Sequence, residues 1–367
     1  MTATNPVRLF VSGLLSFGVC GMVPSLYGVA IPFYARTFDL TEAAAGIILS
    51  ANAAGAFLAV MAGIFAVPGL TGRSSFGFLA AGSIAAALAP TWGMIIAGIF
   101  LLGIGFGTSA AVFNRRFMAE FGVKGPAMIG LLNATWALGA IAAPIVFVAV
   151  SAEPKLVLLG MGILSLAMIP VVQPSGNRPE RLKISMPPAR SIILVVASLS
   201  VMVEVSLMGY GPARLIAGGM EEASAAKHLS GFFVAFFLGR IGMSMVANIV
   251  PPKWLFVGAQ LTVAALCLLA ISGQPSIAVI LLGAPVGICF PAIFVWLSGV
   301  LGPDPRAANG IVASSLGGAI IGPAILGGLL GQFGMLSLFH LTAVLALLAA
   351  GLAAFLGAAF RQSALDA

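Results

Sequence analysis

Glu204 and Arg240 are the two residues whose chemistry is hardest to reconcile with their surroundings. Each lies inside a long apolar segment, Glu204 within 191–213 and Arg240 within 228–249. A charge at the centre of a hydrocarbon layer costs at least about 2.5–3.5 kcal/mol on insertion scales, so it persists where it is paired or faces water. Glu204 lies 13 residues (204 − 191) into its segment, a depth of roughly 20 Å along a helix. Arg240 lies about nine residues from the end of its own, a depth of roughly 13 Å. Those depths differ by less than the combined reach of two long side chains, so an ion pair between adjacent helices is expected. Two roles are open for it. The pair is a static lock between two helices, or Glu204 exchanges a proton or touches a solute as its surroundings change.

The other side chains able to contact a solute are Tyr27, Asn114, Asn133, Trp136, Tyr210 and Trp296. Each could equally serve packing. An enzyme would need a reactive constellation, and there is no His-Glu-x-x-His, while His228 and His340 are far apart. Cys20, Cys267 and Cys289 all fall in apolar segments, which argues against a disulfide framework or a zinc site. No catalytic function, metal or cofactor is expected.

Of the 367 residues, 60% are hydrophobic and 7% are charged. A soluble domain of this length could not cover its surface with so few charges. The chain therefore reads as an all-α polytopic membrane protein. Breaks at charges, prolines and polar clusters give twelve spans: 9–34, 42–66, 74–90, 93–114, 126–150, 155–172, 191–213, 228–249, 254–272, 276–301, 308–331 and 335–359. The net charge of +7 does not call for nucleic acid, because the basic residues lie in short gaps between spans. With the N-terminus inside, Arg8, Arg73, Arg115, Arg116, Lys124, Arg178, Arg181, Lys183, Arg190, Lys253, Arg306 and Arg361 are cytoplasmic. Only Arg36, Lys155, Arg214 and Lys227 are outside, so both termini are expected in the cytoplasm. The expected location is the inner membrane of a bacterium.

The polar, proline-rich interval 173–190 divides two apolar arms, giving a six-helix half at 1–172, a cytoplasmic linker at 173–190 and a second half at 191–367. The arms resemble each other. Leu101-Leu102-Gly103, followed by Gly107, is matched by Leu281-Leu282-Gly283 and Gly287, 180 residues later (281 − 101). Gly139-Ala140-Ile141-Ala142-Ala143-Pro144 is matched by Gly318-Ala319-Ile320-Ile321-Gly322-Pro323, 179 later (318 − 139). Two ordered matches at nearly one offset indicate an internal duplication. Pro144 and Pro323 then interrupt equivalent helices and mark candidate bends. Spans 3, 6, 9 and 12 are almost purely aliphatic apart from Gln260 and His340, and are expected to face lipid. The remaining eight carry the polar residues and are expected to enclose a wet interior.

Twelve spans, a basic central loop and a parallel six-plus-six repeat resemble the major facilitator superfamily over the whole chain. Of that family's Gly-x-x-x-Asp-Arg-x-Gly-Arg signature, the stretch Val67-Pro68-Gly69-Leu70-Thr71-Gly72-Arg73 keeps the closing Gly72-Arg73 and has Gly69 in place of the acid. Leu132-Asn133-Ala134 with Leu138-Gly139-Ala140, Phe290-Pro291-Ala292-Ile293-Phe294, Gly239-Arg240 and the stretch 204–211 are similar to the fucose–proton symporter branch. The sequence departs from that branch in carrying no acid in spans 1 and 4, at Val23-Pro24-Ser25-Leu26-Tyr27-Gly28 and 107–114, which argues against a sugar. The resemblance implies a monomeric secondary transporter in the lipid bilayer, with a small-molecule substrate and a coupling proton. It would work by alternating access to a site between the halves near mid-membrane. Two other readings stay open: a facilitator-type exporter of amphipathic or hydrophobic compounds, and a non-transporting receptor or scaffold of the same fold.

The orientation is testable by labelling from outside intact cells. A thiol at Leu182→Cys should escape a membrane-impermeant reagent and one at Glu222→Cys should react; the opposite pattern would invert the topology.

Overall fold

The computed structural model describes residues 6–65, 67–172, 192–246, 249–301 and 305–365. The basic interval 173–190 lies outside the described residues. Twelve long helices are present among them, with no strand. They are α1 (Pro6–Thr37), the pair α2 (Glu42–Ala45) and α3 (Ile47–Ile64), α4 (Gly72–Leu88), α5 (Trp92–Phe121), α6 (Gly125–Ala149) and α7 (Pro154–Met168). Then follow α8 (Leu194–Ala217), α9 (Glu222–Val246), α10 (Pro252–Ile271), α11 (Pro275–Leu301), α12 (Pro305–Phe333) and α13 (Leu338–Leu365). Nine membrane-crossing candidates, by length and composition, occur among the described residues.

Local chemistry sets where these helices start. α7, α10, α11 and α12 each begin on proline, whose missing N–H costs nothing in the first turn. α4 begins with a capping box in which the Thr71 side chain accepts from the Ser74 N–H and the Ser74 hydroxyl accepts from the Thr71 N–H. Gly273 and Gly334, at φ +106° and +81°, turn the chain after α10 and before α13 where a side chain would be strained. The helices outrun the apolar segments. α5 continues to Phe121 instead of stopping near residue 114, so Arg115 and Arg116 are helical rather than in a loop. Likewise α9 starts at Glu222, which places Lys227 and His228 within it. Charged residues are good helix formers, so the helix does not end where the apolar run does.

The chain divides into two compact units, Met1–Thr41 with Ile47–Leu182, and Glu42–Gly46 with Lys183–Ala367. Within the first, α1 packs on α6, α3 and α4 on α5, and α4 on α7. The second repeats this scheme: α8 packs on α12, α9 and α10 on α11, and α10 on α13.

The repeat extends to individual atoms. A Cβ on Gly103 would strike the Asn52 carbonyl, and one on Gly283 the Phe232 carbonyl. Gly107 meets Ala56 and Gly287 meets Phe236; Gly139 meets Gly18 and Gly318 meets Ser198. The contacted carbonyls are themselves 180 residues apart in all three cases (232 − 52, 236 − 56, 198 − 18). Coincidence of composition cannot reproduce both sides of three backbone contacts. The glycines are there because helix backbones touch at these points, the way helices associate where lipid is as apolar as any side chain.

Prolines inside helices leave carbonyls without donors. Pro144 has no N–H for the carbonyl of Ala140, four residues earlier, and the Ser25 hydroxyl on α1 donates to that oxygen at 2.6 Å. Four residues past α7, the Val172 carbonyl accepts from Arg73 Nε at 2.8 Å. The Gly72-Arg73 remnant is therefore structurally engaged although the acid of the signature is missing.

Ser25→Ala should lower thermal stability by about 1 kcal/mol by orphaning the Ala140 carbonyl. In a Pro144→Ala background, where the backbone N–H is restored, the same change should cost nearly nothing. Equal losses in both backgrounds, measured by thermal unfolding in detergent, would refute this pairing.

Candidate functional site

The charged pair belongs to the second unit. Glu204 on α8 and Arg240 on α9 are both half-buried, and their charges lie within electrostatic reach of each other. The guanidinium of Arg240 also stands 4.4 Å from the ring centroid of Phe236, one turn earlier on α9. The ring face partly compensates the cation for lost water.

Three further polar residues converge here. Ser200 lies one turn before Glu204 on the same face of α8. Gln260 Nε2, from α10, donates to Ser200 Oγ at 3.3 Å. Cys289, on α11, donates its S–H to the Pro285 carbonyl at 3.2 Å and lies beside Ser200. Cys289 is also within electrostatic reach of Glu204. Four helices thus supply one cluster: a carboxyl, a permanent cation, a hydroxyl, an amide and a thiol. Among the described residues no group of three or more metal-ligating side chains occurs. The cluster's chemical capacity is to hold and release a proton at Glu204 beside a countercharge.

Tyr27, Asn114, Asn133 and Trp136 belong to the first unit. Tyr27 is buried, and its hydroxyl accepts from Asn52 Nδ2 at 3.4 Å. Asn114 has a buried Oδ1 with no hydrogen-bond partner. Asn133 is exposed and its amide donates to the Ile129 carbonyl of its own helix at 2.9 Å. Trp136 is half-buried, and its backbone carbonyl lies against Gly21 of α1. In the same unit the Ser16 and Ser109 hydroxyls are 2.7 Å apart, and Cys20 lies beside both.

In the second unit, Tyr210 is fully buried and its hydroxyl donates to the Pro323 carbonyl at 2.9 Å. It is therefore tied to the bend candidate on α12 and is not brought to Glu204. Trp296 stacks on Phe256, with ring centroids 6.4 Å apart, against the buried group that includes Ile193, Val196 and Leu297. His228 Nδ1 is bonded to the Ser224 carbonyl of its own helix at 2.7 Å. Ser200, Gln260 and Cys289 were not among the candidates from sequence. One signal could have found two of them: Ser200 and Cys289 are the 180-residue equivalents of Cys20 and Ser109 (200 − 20, 289 − 109).

No family model matches this sequence, and no curated protein matches it. Solved structures do match it in fold. A D-xylose–proton symporter aligns with a TM-score of 0.76 and 13% identity over 95% of this chain and 97% of that one. The major facilitator superfamily transporter FucP, in an outward conformation, aligns with 0.63 and 20% over 94% and 98%. The nucleoside transporter NupG aligns with 0.75 and 15% over 97% and 98%. At these identities the likeness is one of fold: the chain has the all-α, two-times-six-helix fold of major facilitator transporters and is a multi-pass membrane protein.

Arg240→Gln should destabilise the protein strongly, by about 3–5 kcal/mol, because it strips Glu204 of its countercharge. Adding Glu204→Gln should recover most of that loss. Thermal unfolding of the single and double variants at neutral pH checks this; losses that simply add would show that the two charges are not coupled.

Proposed function

We propose that this protein is a secondary active transporter that moves a small solute across the membrane by alternating access, coupled to a proton. The observation that carries this reading is the carboxyl of Glu204 within the interior of α8, in electrostatic reach of Arg240. The near full-length likeness in fold to a D-xylose–proton symporter, FucP and NupG supports the transport part. While Glu204 and Arg240 are paired, their charges balance. If transport separates them, a proton on Glu204 keeps that carboxyl from standing as a lone charge in a poor solvent. Binding and release of the solute would thereby be linked to binding and release of a proton.

The N-terminal half offers the solute hydrogen-bonding groups rather than charges. Tyr27 with Asn52, and the unpartnered Oδ1 of Asn114, are the groups we assign to solute contact there. So few paired donors and acceptors argue against a sugar, as does the lack of an acid in α1. The reading places the protein as a monomer in a bacterial inner membrane with both termini in the cytoplasm.

Glu204→Gln separates the possibilities in proteoliposomes, using a solute identified by thermal-shift screening of sugars, organic acids, amino-acid derivatives and drugs. Gradient-driven accumulation should be lost while solute exchange survives, because exchange needs no net proton movement. Normal pH-driven accumulation by a stable Glu204→Gln protein would overturn the assignment, and joint loss of accumulation and exchange would make the pair structural.

A further inference from the structure

The two units carry the same buried device in opposite order. In the first, the Cys20 thiol of α1 meets the Ser109 hydroxyl of α5; in the second, the Ser200 hydroxyl of α8 meets the Cys289 thiol of α11. Both members are buried in each case, and the positions correspond at 180 residues (200 − 20, 289 − 109). A hydroxyl beside a thiol, between the first and fourth helices, is therefore common to both units.

The first unit is a control for the second. Around Ser200 the second unit adds Glu204, Arg240 and Gln260. Their equivalents at the same offset are Pro24, Val60 and Ala80. All three additions are polar or charged where the sister unit is apolar or non-ionisable, so packing does not explain them. Gln260 is the least expected. It sits on a helix that is otherwise almost wholly aliphatic, yet it is fully buried and turned onto Ser200. Its Oε1 has no hydrogen-bond partner. A buried amide oxygen left unsatisfied costs about 1–3 kcal/mol, a loss that aliphatic packing at this position would avoid.

We infer that the titrating centre of the protein lies wholly within the second six-helix unit, and that Gln260 is its positioning residue, acting on Glu204 through the Ser200 hydroxyl. By donating to Ser200 Oγ, Gln260 commits that oxygen as acceptor and fixes the hydroxyl one turn from the carboxyl; the neighbouring Cys289 gives its own S–H to the Pro285 carbonyl. The buried amide of α10 thus sets the Ser200 hydroxyl of α8, one turn from the carboxyl. The Ser200 dipole is thereby held one turn from Glu204 by a fully buried amide. The Gln260 Oε1 is left as an open acceptor on the same side chain. The charged and titratable groups facing Glu204 from its neighbours are Arg240 of α9 and Cys289 of α11. α12 and α13 also pack on α8, and among the described residues neither brings a titratable group to it; His340 of α13 is exposed.

The inference rests on Glu204 being the proton-carrying group, but its test does not depend on flux. Thermal unfolding of the purified, detergent-solubilised protein is followed across roughly pH 5 to 9, the range in which a displaced carboxyl or a histidine titrates. The wild type should show a break in the dependence of Tm on pH, and Glu204→Gln should abolish it. Gln260→Leu and Ser200→Ala should displace the break in the same direction by at least about half a pH unit. The double variant should move it no further than the larger single change, since both act through one hydroxyl. Ser200→Thr, which keeps the hydroxyl, should restore the wild-type position. Should Gln260→Leu prove too unstable, Gln260→Met and Ser200→Ala give the same comparison. A break unmoved by Gln260 and Ser200 substitutions overturns the inference. So does a break that survives in Glu204→Gln, or a wild type with none. A break that behaves as expected in a protein without proton-driven accumulation would keep the titrating centre and sink only the transport reading.

Discussion

Inside hydrocarbon no water stands ready for a backbone carbonyl or a polar side chain, and the internal chemistry of this protein answers that constraint. Pro144 creates a carbonyl without a donor, and Ser25 supplies one from the neighbouring helix. Most serines and threonines with a described partner spend their hydroxyls on a helix backbone: Ser165 on Met161, Thr135 on Leu131, and Ser314 on Leu194 across to α8. Tyr210 does the same with the Pro323 carbonyl. These groups stabilise the bundle by not being left alone. Six buried serine and threonine hydroxyls depart from that pattern, as do the amide oxygens Asn114 Oδ1 and Gln260 Oε1.

The same constraint explains why duplication shows so clearly in the packing and so weakly in the sequence. Glycine at Gly103, Gly107 and Gly139 is fixed by contact with a facing carbonyl, and so is glycine at Gly283, Gly287 and Gly318. Between those points any aliphatic residue of the right size serves, so the two arms have drifted apart while the backbone contacts stayed. The Cys20–Ser109 and Ser200–Cys289 positions also correspond, with hydroxyl and thiol exchanged between the helices. Where the halves differ, the difference is in charge. The second unit holds Glu204 and Arg240 in its interior; the first offers Tyr27 and Asn52.

The fold was legible because composition and the spacing of breaks follow from membrane thickness. Each of the twelve expected spans has its helix, and Pro144 and Pro323 fall in α6 and α12, the fifth long helix of each half. Helix ends were less legible: residues such as Arg115 and Arg116 carry α5 past its apolar run at no cost once outside hydrocarbon. Among the site residues, Glu204 and Arg240 could be found from charge alone. The partners around them could not, because polarity does not reveal direction. Gln260 is flanked by Phe256, Val257, Val263, Ala264 and Cys267, all buried and all at helical spacing from it. In a helix apolar on every side, that spacing does not distinguish the buried face from the others. Asn133 illustrates the converse, since its promising amide turns back to bond Ile129 on its own helix.

On the proposed reading, magnitudes decide why an acid and a base are kept together in one unit. Leaving one member of a buried pair without its partner costs about 3–5 kcal/mol. Placing a proton on an ordinary glutamate at neutral pH costs about 3.7 kcal/mol, from 1.36 kcal/mol per pH unit and an unperturbed value near 4.3. The two penalties are of the same size, so Arg240 and a proton are nearly interchangeable as partners for Glu204. A switch needs that balance. A much stronger pair would never open, and a carboxyl without a cation would stay protonated and carry no signal from the gradient. Small changes around Glu204 can then decide which partner it has, and fixed dipoles such as those of Gln260 and Ser200 act on this scale. Both side chains are buried, Ser200 one turn from Glu204 on α8 and Gln260 on α10, so the balance can be set from within the unit's packing.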